Sequence, residues 1–443
     1  MLKGSINKNW LVIWLFIILP FLVDQINGFA FSELNISFSF SKLYKTPLIM
    51  LAFLYVVIFD NKGYFKIALL LLLLFIMISQ FINFYVNKQD FDSLTQDFGY
   101  LLKIFTFPIV YCFMAVYYSH NPLPDFNIIR KLYIGLFLSF ALAIFLSYFG
   151  FGIPFYGITK EGESIGHQGY FISGNEISAF YLFIVCIFYY LMVKTEKLKY
   201  IFSAGALSIC IGLIMGSKTA IISAVVCFAG VYALYKVYFR KTSLITKADI
   251  IFLVSFVGFA IICFIFIDEI LDAINPVYRT FLYRYRTSQS FMDFITSGRN
   301  IRAEFELNYF ASSQPLIQMI FGKGYTLYKS INVPNTKHYS AEIDFIDVMN
   351  IAGAAGVVII YAFWIVIWFR IYKMFIHRKS EYSIPLLISV TILFLNSNIS
   401  GHIIYAALLS FNLGFLALIA KKDRDILPDA MISKKSANYF LPA

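Results

Sequence analysis

The sequence predicts an all-α polytopic membrane protein of about 12 transmembrane helices with one large extracytoplasmic loop. Three observations carry this. Of 443 residues, 60% are apolar and only 14% charged, with a mean hydropathy of +0.75. Soluble domains are about 45–50% apolar and about 25% charged. Apolar runs recur along the chain near the roughly 20 residues that cross a bilayer. The positive charges between those runs alternate from side to side. A disordered chain, a single soluble domain and a disulfide scaffold are excluded together.

Taken in order, the runs lie near residues 10–27, 47–59, 66–86, 99–119, 132–150, 175–193, 200–216, 219–235, 250–271, 346–369, 384–400 and 402–420. The first follows Lys3 and Lys8 but lacks a small-x-small cleavage site, so it reads as an uncleaved span. The second is short. The last two abut through Asn396-Ser397-Asn398-Ile399-Ser400-Gly401-His402. Residues 1–271 then hold nine spans, 272–345 the loop, 346–420 three spans and 421–443 a cytoplasmic tail.

Charge sets the orientation. With the N-terminus inside, the cytoplasmic segments collect 22 Lys and Arg and the short outer loops 5. Lys103 sits within a span, and eight more lie in the 272–345 loop. Loops longer than about 60 residues escape the positive-inside rule. Both termini are therefore placed in the cytoplasm of a plasma membrane. The net charge of +11 follows from topology and not from nucleic-acid binding. Cys112, Cys186, Cys210, Cys227 and Cys263 fall inside apolar runs and read as small core residues.

The 272–345 loop interleaves Phe, Tyr and Leu with charge, a composition for order. Within it 299–313 reads as an amphipathic helix, with Ile301, Phe305, Tyr309 and Ser312 at helical spacing, Ser297-Gly298 capping it and Gln314-Pro315 ending it. Arg299 and Arg302 stand one turn apart; a guanidinium offers phosphate two parallel donors and a fixed charge. Arg279, Arg284 and Arg286 form a looser basic group.

Lys218, in Gly216-Ser217-Lys218-Thr219-Ala220, is either a snorkelling turn lysine or a cation at a cavity mouth. Glu342, Asp344 and Asp347 stand where the chain re-enters the membrane. Each either compensates a helix dipole or, in the case of Glu342 and then Asp344, acts as a general base. His338 precedes them by one turn. Asn175 and Glu176 open the 175–193 run, where capping and polar binding compete. No Walker loop, zinc signature, nucleophile elbow, dinucleotide fingerprint or cytoplasmic DxD motif appears, which argues against ATP hydrolysis and nucleotide-sugar transfer.

Taken together these residues resemble the bacterial O-antigen polymerase and O-antigen ligase superfamily. The resemblance covers most of 166–360 and rests on order: Gly169 to Asn175 opening a middle span, Ser217-Lys218-Thr219-Ala220, Ser297-Gly298-Arg299 leading the loop helix, Phe321-Gly322-Lys323-Gly324 after it, and Glu342 eleven residues before Gly353, with Gly356 following. Ligases often carry His at that last place; here His338 is out of register, and Glu342 resembles the polymerase-like branch. The resemblance implies a GT-C-like, metal- and cofactor-independent glycosyltransferase. Its donor is an undecaprenyl-diphosphate-linked oligosaccharide, polymerised on the outer face of the bilayer into O-antigen, capsule or exopolysaccharide. A flippase and a chain-length regulator are the partners it implies. In that reaction Arg299, Lys218, Arg302 and Arg284 would hold the leaving diphosphate, Glu342 or Asp344 would serve the acceptor hydroxyl, and Asn175 and His338 would contact substrate. The alternatives are a ligase moving a finished glycan to a lipid or protein, and a transporter or flippase. The latter usually shows inverted repeats, which this sequence lacks.

Overall fold

A computed structural model describes residues 8–155, 166–239, 285–286, 288, 290–296, 298–330, 341–399 and 401–422. Eight of its helices are long and apolar enough to cross a membrane. They are α1 (Asn9–Ser32), α2 (Phe40–Phe59), α3 (Tyr64–Tyr85), α4 (Phe91–His120), α5 (Phe126–Tyr148), α6 (Gly174–Val193), α8 (Lys218–Tyr238) and α13 (Asp344–Ile376). Three shorter apolar helices complete the described bundle: α7 (Leu198–Met215), α14 (Ser383–Ser397) and α15 (Ala407–Lys422). The chain is a multi-pass, all-α membrane protein. The expected span at 250–271 and the tail at 423–443 lie outside the described residues.

Two helices outgrow their apolar runs. The 47–59 run is the back half of α2, a 20-residue helix whose start is set by Ser39, whose hydroxyl accepts from the Lys42 amide at 3.3 Å. Its first turns carry Lys42 and Lys45, which interrupt the apolar signal. Lys45 is tolerated because its ammonium meets Asp24 at 2.6 Å. Likewise α4 begins at Phe91, capped by Asp90 on the Ser93 amide at 2.9 Å, eight residues before the run at 99.

The interior is built on α4 and α6. About 83% and 89% of their spanning windows are buried, against 28–44% for the other spans. Peripheral helices keep large apolar faces open, such as Leu71, Met77 and Phe81 on α3 and Val358 on α13. Exposed residues of this kind on so many helices suit lipid as solvent. The buried tyrosines of α6 all pair their hydroxyls: Tyr181 donates to the Ser208 carbonyl at 2.5 Å, Tyr189 to that of Ala224 at 2.9 Å and Tyr190 to the Glu381 carboxylate at 2.8 Å. A hydroxyl left unpaired in hydrocarbon costs several kcal/mol, roughly. Cys112, Cys186 and Cys227 are buried as expected; Cys210 is not, because its face of α7 points away from the bundle. Cys263 is outside the described residues.

The described part of 285–330 forms four short helices over one end of the bundle: α9 (Phe291–Thr296), α10 (Arg299–Ser313), α11 (Leu316–Phe321) and α12 (Tyr325–Lys329). Helix α13 kinks at Gly353, where φ is 70° and ψ −178°. The break strands the carbonyls of Asn350 and Ile351. They accept from the amides of Lys323 and Gly324 at 3.0 and 3.2 Å. Buried backbone groups must be paired, and here a turn from the loop supplies the partners. The approach leaves no space for a Cβ at Gly353 or Gly322: it would lie 2.2 Å from the Ile320 carbonyl oxygen and 2.1 Å from that of Ile351 respectively. Gly353 thus seats the Phe321-Gly322-Lys323-Gly324 turn of the loop, while a Cβ at Gly356 would stand 3.5 Å from the Phe75 ring of α3.

Candidate functional site

Helix α10 spans Arg299–Ser313, the segment the sequence predicts, but it lies the other way up. Ile301 is 48% exposed, while Arg302, Ala303 and Glu306 are buried against the bundle. The polar face turns inward because the charges it meets are there. Its entry lacks the expected side-chain cap: Gly298 occupies the cap position and Ser297 is outside the described residues.

Arg299 and Arg302 converge on one carboxylate. Glu342 Oε2 accepts from Arg299 Nε at 3.1 Å, and a terminal nitrogen of Arg299 lies 3.0 Å away. A terminal nitrogen of Arg302 reaches the same oxygen at 3.2 Å. Burial opposes ionisation of Glu342, but the guanidiniums of Arg302 and Arg299 outweigh it and hold the carboxyl below its ordinary range. A carboxylate so held is a weak proton acceptor and a strong positioning group. Its backbone is also strained, with φ at 56°, and His402 has φ at 62°. Strained non-glycine residues concentrate at functional sites.

Asp344 is fully engaged. One oxygen accepts from the His402 amide at 2.5 Å, the other from Ile403 and Ile404 at 2.9 and 3.0 Å. It holds the chain between α14 and α15 against the start of α13 and has no exposed surface. Asp347 accepts from the Tyr328 hydroxyl at 2.6 Å, and that hydroxyl accepts from the Ala341 amide at 3.0 Å. Asp344 was a candidate base in the sequence; the geometry makes it a loop anchor, as Asp347 is.

Lys218 opens α8. Its ammonium donates to the Phe294 carbonyl at 2.6 Å and lies 4.1 Å from the centre of that ring. It therefore ties α8 to α9, the short helix that leads into Arg299. Asn175 stands half-buried in the first turn of α6, beside a cavity that is lined from that helix by Glu176 and Ile177. Arg284 and His338 lie outside the described residues.

Several polar residues had no signal of their own in the sequence. His402 feels the charges of Glu342, Arg299, Arg302 and Lys103. Burial lowers its pKa, the cations add to that, and Glu342 opposes, so its imidazole is kept neutral. Glu306, one turn beyond Arg302, has no exposed surface; Lys323 is 1% exposed. Neither side chain has a hydrogen-bond partner among the described residues. Burial raises the one and lowers the other, each charge resisting the effect on its neighbour. The Lys323 ammonium lies 4.6 Å from the centre of the Tyr309 ring and 5.3 Å from that of Tyr328. Only packing reveals such groups, because in sequence they read as ordinary loop charges.

Beside this cluster opens a cavity of about 830 Å³. Its walls come from the facing ends of α1, α2, α4, α6, α12 and α15. Lys42, Lys45, Lys103 and Lys329 line it, with Asp24 and Glu176. Four ammonium groups against two carboxylates leave a surplus of two positive charges. Tyr100 and Tyr325 are stacked in its wall at 3.3 Å between ring centres, and Tyr405 completes it. Asp97, buried in α4, fixes this wall by accepting from the Thr326 amide at 2.7 Å and its hydroxyl at 2.8 Å. The arrangement can hold a polar anion with an extended hydroxyl-bearing group; its basic lining residues are lysines. No family model and no curated protein sequence matches the chain.

Proposed function

We propose that the protein polymerises undecaprenyl-diphosphate-linked oligosaccharide repeat units into a surface polysaccharide, on the outer face of a bacterial plasma membrane. The observation that carries this reading is the presence, at one end of a membrane bundle, of both a two-arginine cluster and a cation-lined cavity of about 830 Å³. Sites for ligands of this kind run to about 300–1,000 Å³. A substrate whose lipid stays in the bilayer and whose headgroup is anionic meets both requirements.

The reaction breaks the bond between sugar C1 and the diphosphate oxygen. Negative charge grows on the leaving diphosphate, and preorganised cations lower that barrier. Arg299 and Arg302 supply them, held in place by Glu342, with Lys218 fixing the approach to α10 through Phe294. The energy lies in the diphosphate bond, so ATP is not required. Glu342 serves as the orienting carboxylate of the pair.

The test is reconstitution of the purified protein in vesicles with a lipid-linked repeat. A ladder of polymer is expected. Arg299→Ala should abolish it while the protein still inserts, and Arg299→Lys should recover little, lacking the planar fork. A single transfer to a lipid or peptide acceptor, with no ladder, would replace this reading by the ligase one. Full activity of Arg299→Ala would remove the cluster from the mechanism.

A further inference from the structure

We propose that the lysine-ringed cavity is the acceptor-sugar subsite and that Glu176 is the residue that takes the proton of the attacking hydroxyl. The inference rests on the polymerase reading and supplies the proton acceptor that reading lacks.

The interior carboxylates at this end of the bundle are nearly all engaged. Glu342 is bridged by two guanidiniums, Asp344 by three amides, Asp347 by Tyr328 and Asp97 by Thr326. Asp24 is held by Lys45 and by the Ser41 hydroxyl at 2.7 Å. Glu306 is sealed beneath α10. Glu176 differs: it lines the cavity, and its carboxylate makes no hydrogen bond or ion pair with the described residues.

Its surroundings suit a hydroxyl. Lys103, Lys45 and Asp24 line the same cavity and act on it with their charges, and Asp344 acts on it from outside the lining. The Lys103 ammonium lies 5.2 Å from the centre of the Tyr100 ring and does not close onto Glu176. A sugar hydroxyl placed between the two donates to the carboxylate and accepts from the ammonium. The stacked Tyr100 and Tyr325 rings and Tyr405 offer flat faces against which the apolar side of a pyranose rests. Tyr405 of the cavity wall has its ring centre 6.4 Å from that of His402, which feels the charges of Glu342, Arg299 and Arg302. In the proposed complex the acceptor lies in the cavity and the leaving diphosphate at the arginines.

In the step, the hydroxyl oxygen bonds to donor C1 as the bond from C1 to the diphosphate oxygen breaks. The electron pair of that bond stays on the diphosphate. The hydroxyl proton passes to the Glu176 carboxylate and from there to water, and no oxidation state changes.

The experiment compares wild type, Glu176→Gln and Glu176→Asp in vesicles, with a lipid-linked repeat as donor and a soluble fluorescent repeat as acceptor. Glu176→Gln is expected to lose about 10²–10⁴ in kcat, to keep its KM, and to lose the acid limb of its pH–rate profile. Glu176→Asp should recover part of the rate and the limb. A wild type that polymerises, alongside a Glu176→Gln variant with normal kcat and the same acid limb, overturns the inference and leaves the polymerase reading standing. A wild type that forms no glycosidic product removes both. If Glu176→Gln fails to insert, Lys103→Gln decides: the lost charged hydrogen bond should raise the acceptor KM about 10-fold or more, with the acid limb kept. An unchanged KM there overturns the subsite.

Discussion

Glu342 shows how little a residue's type says about its role. In sequence it is a carboxylate where the chain re-enters the membrane, open to either dipole compensation or proton transfer. In the fold it is the common acceptor of Arg299 and Arg302. Glu342→Gln should therefore lower stability by about 1–3 kcal/mol, the worth of charged hydrogen bonds. It should reduce polymer formation by displacing the guanidiniums while the acid limb of the pH profile stays. The sign of the pH effect follows from its lowered pKa. Stability from the cluster is present above the ordinary glutamate value of about 4.3. It is lost as pH falls through the folded value beneath that. Melting curves of wild type and Glu342→Gln should accordingly converge below about pH 4; a gap that persists there would deny the ion pairing. Asp344→Asn puts an amide donor against three backbone donors. It should cost about 1–3 kcal/mol in thermal unfolding, and a neutral result would mean that the 401–404 segment is held by something else.

Among the elements, the kink in α13 and the turn before α12 are one structure. The carbonyls released by the break at Gly353 bond the turn, and the turn in turn presents Lys323 to α10. Gly353→Ala forces a side chain into a backbone region nearly reserved for glycine, at about 1–3 kcal/mol, and against the Ile320 carbonyl. A lower melting temperature and faster proteolysis within 321–324 are expected; wild-type resistance would mean that the two breaks are independent. Glu306 and Lys323 carry a second element-scale prediction. Removing one buried charge strands the other, whereas replacing both with apolar residues is often neutral or better. Glu306→Gln and Lys323→Met should each destabilise, and Glu306→Leu with Lys323→Met should melt near or above wild type. A double variant worse than either single would show that the pair is bridged by something that it binds.

At the scale of the molecule, helix ends that the charge rule puts on one side meet around one cavity. The end of α1 and the starts of α2, α4, α6 and α15 line it together, under α12. Alternating spans demand this grouping, and the 22:5 charge ratio predicts that it faces outward. In a cysteine-depleted background, Ser330→Cys should react with an impermeant thiol reagent on intact cells. Glu196→Cys, in the turn between α6 and α7, should react only after permeabilisation. The reverse pattern would invert the molecule and place the site in the cytoplasm.

Hydrophobic run length and charge asymmetry are local properties, so the sequence by itself determined the all-α membrane class, the loop helix at 299–313 and the residues of the Arg299–Glu342 neighbourhood. It misjudged α2 and α4, because a lysine met by Asp24 and an aspartate buried beneath Thr326 look like breaks in an apolar run until their partners are seen. Which face of α10 turns inward, which acids are engaged and which stands open were decided by tertiary structure alone. Hydrogen-bond partners such as Asp344 and His402, 58 residues apart, leave no periodic trace in the chain. A carboxylate's chemistry depends on what faces it, and in Glu176, Glu306 and Glu342 the same side chain meets an open cavity, a buried lysine and a pair of guanidiniums.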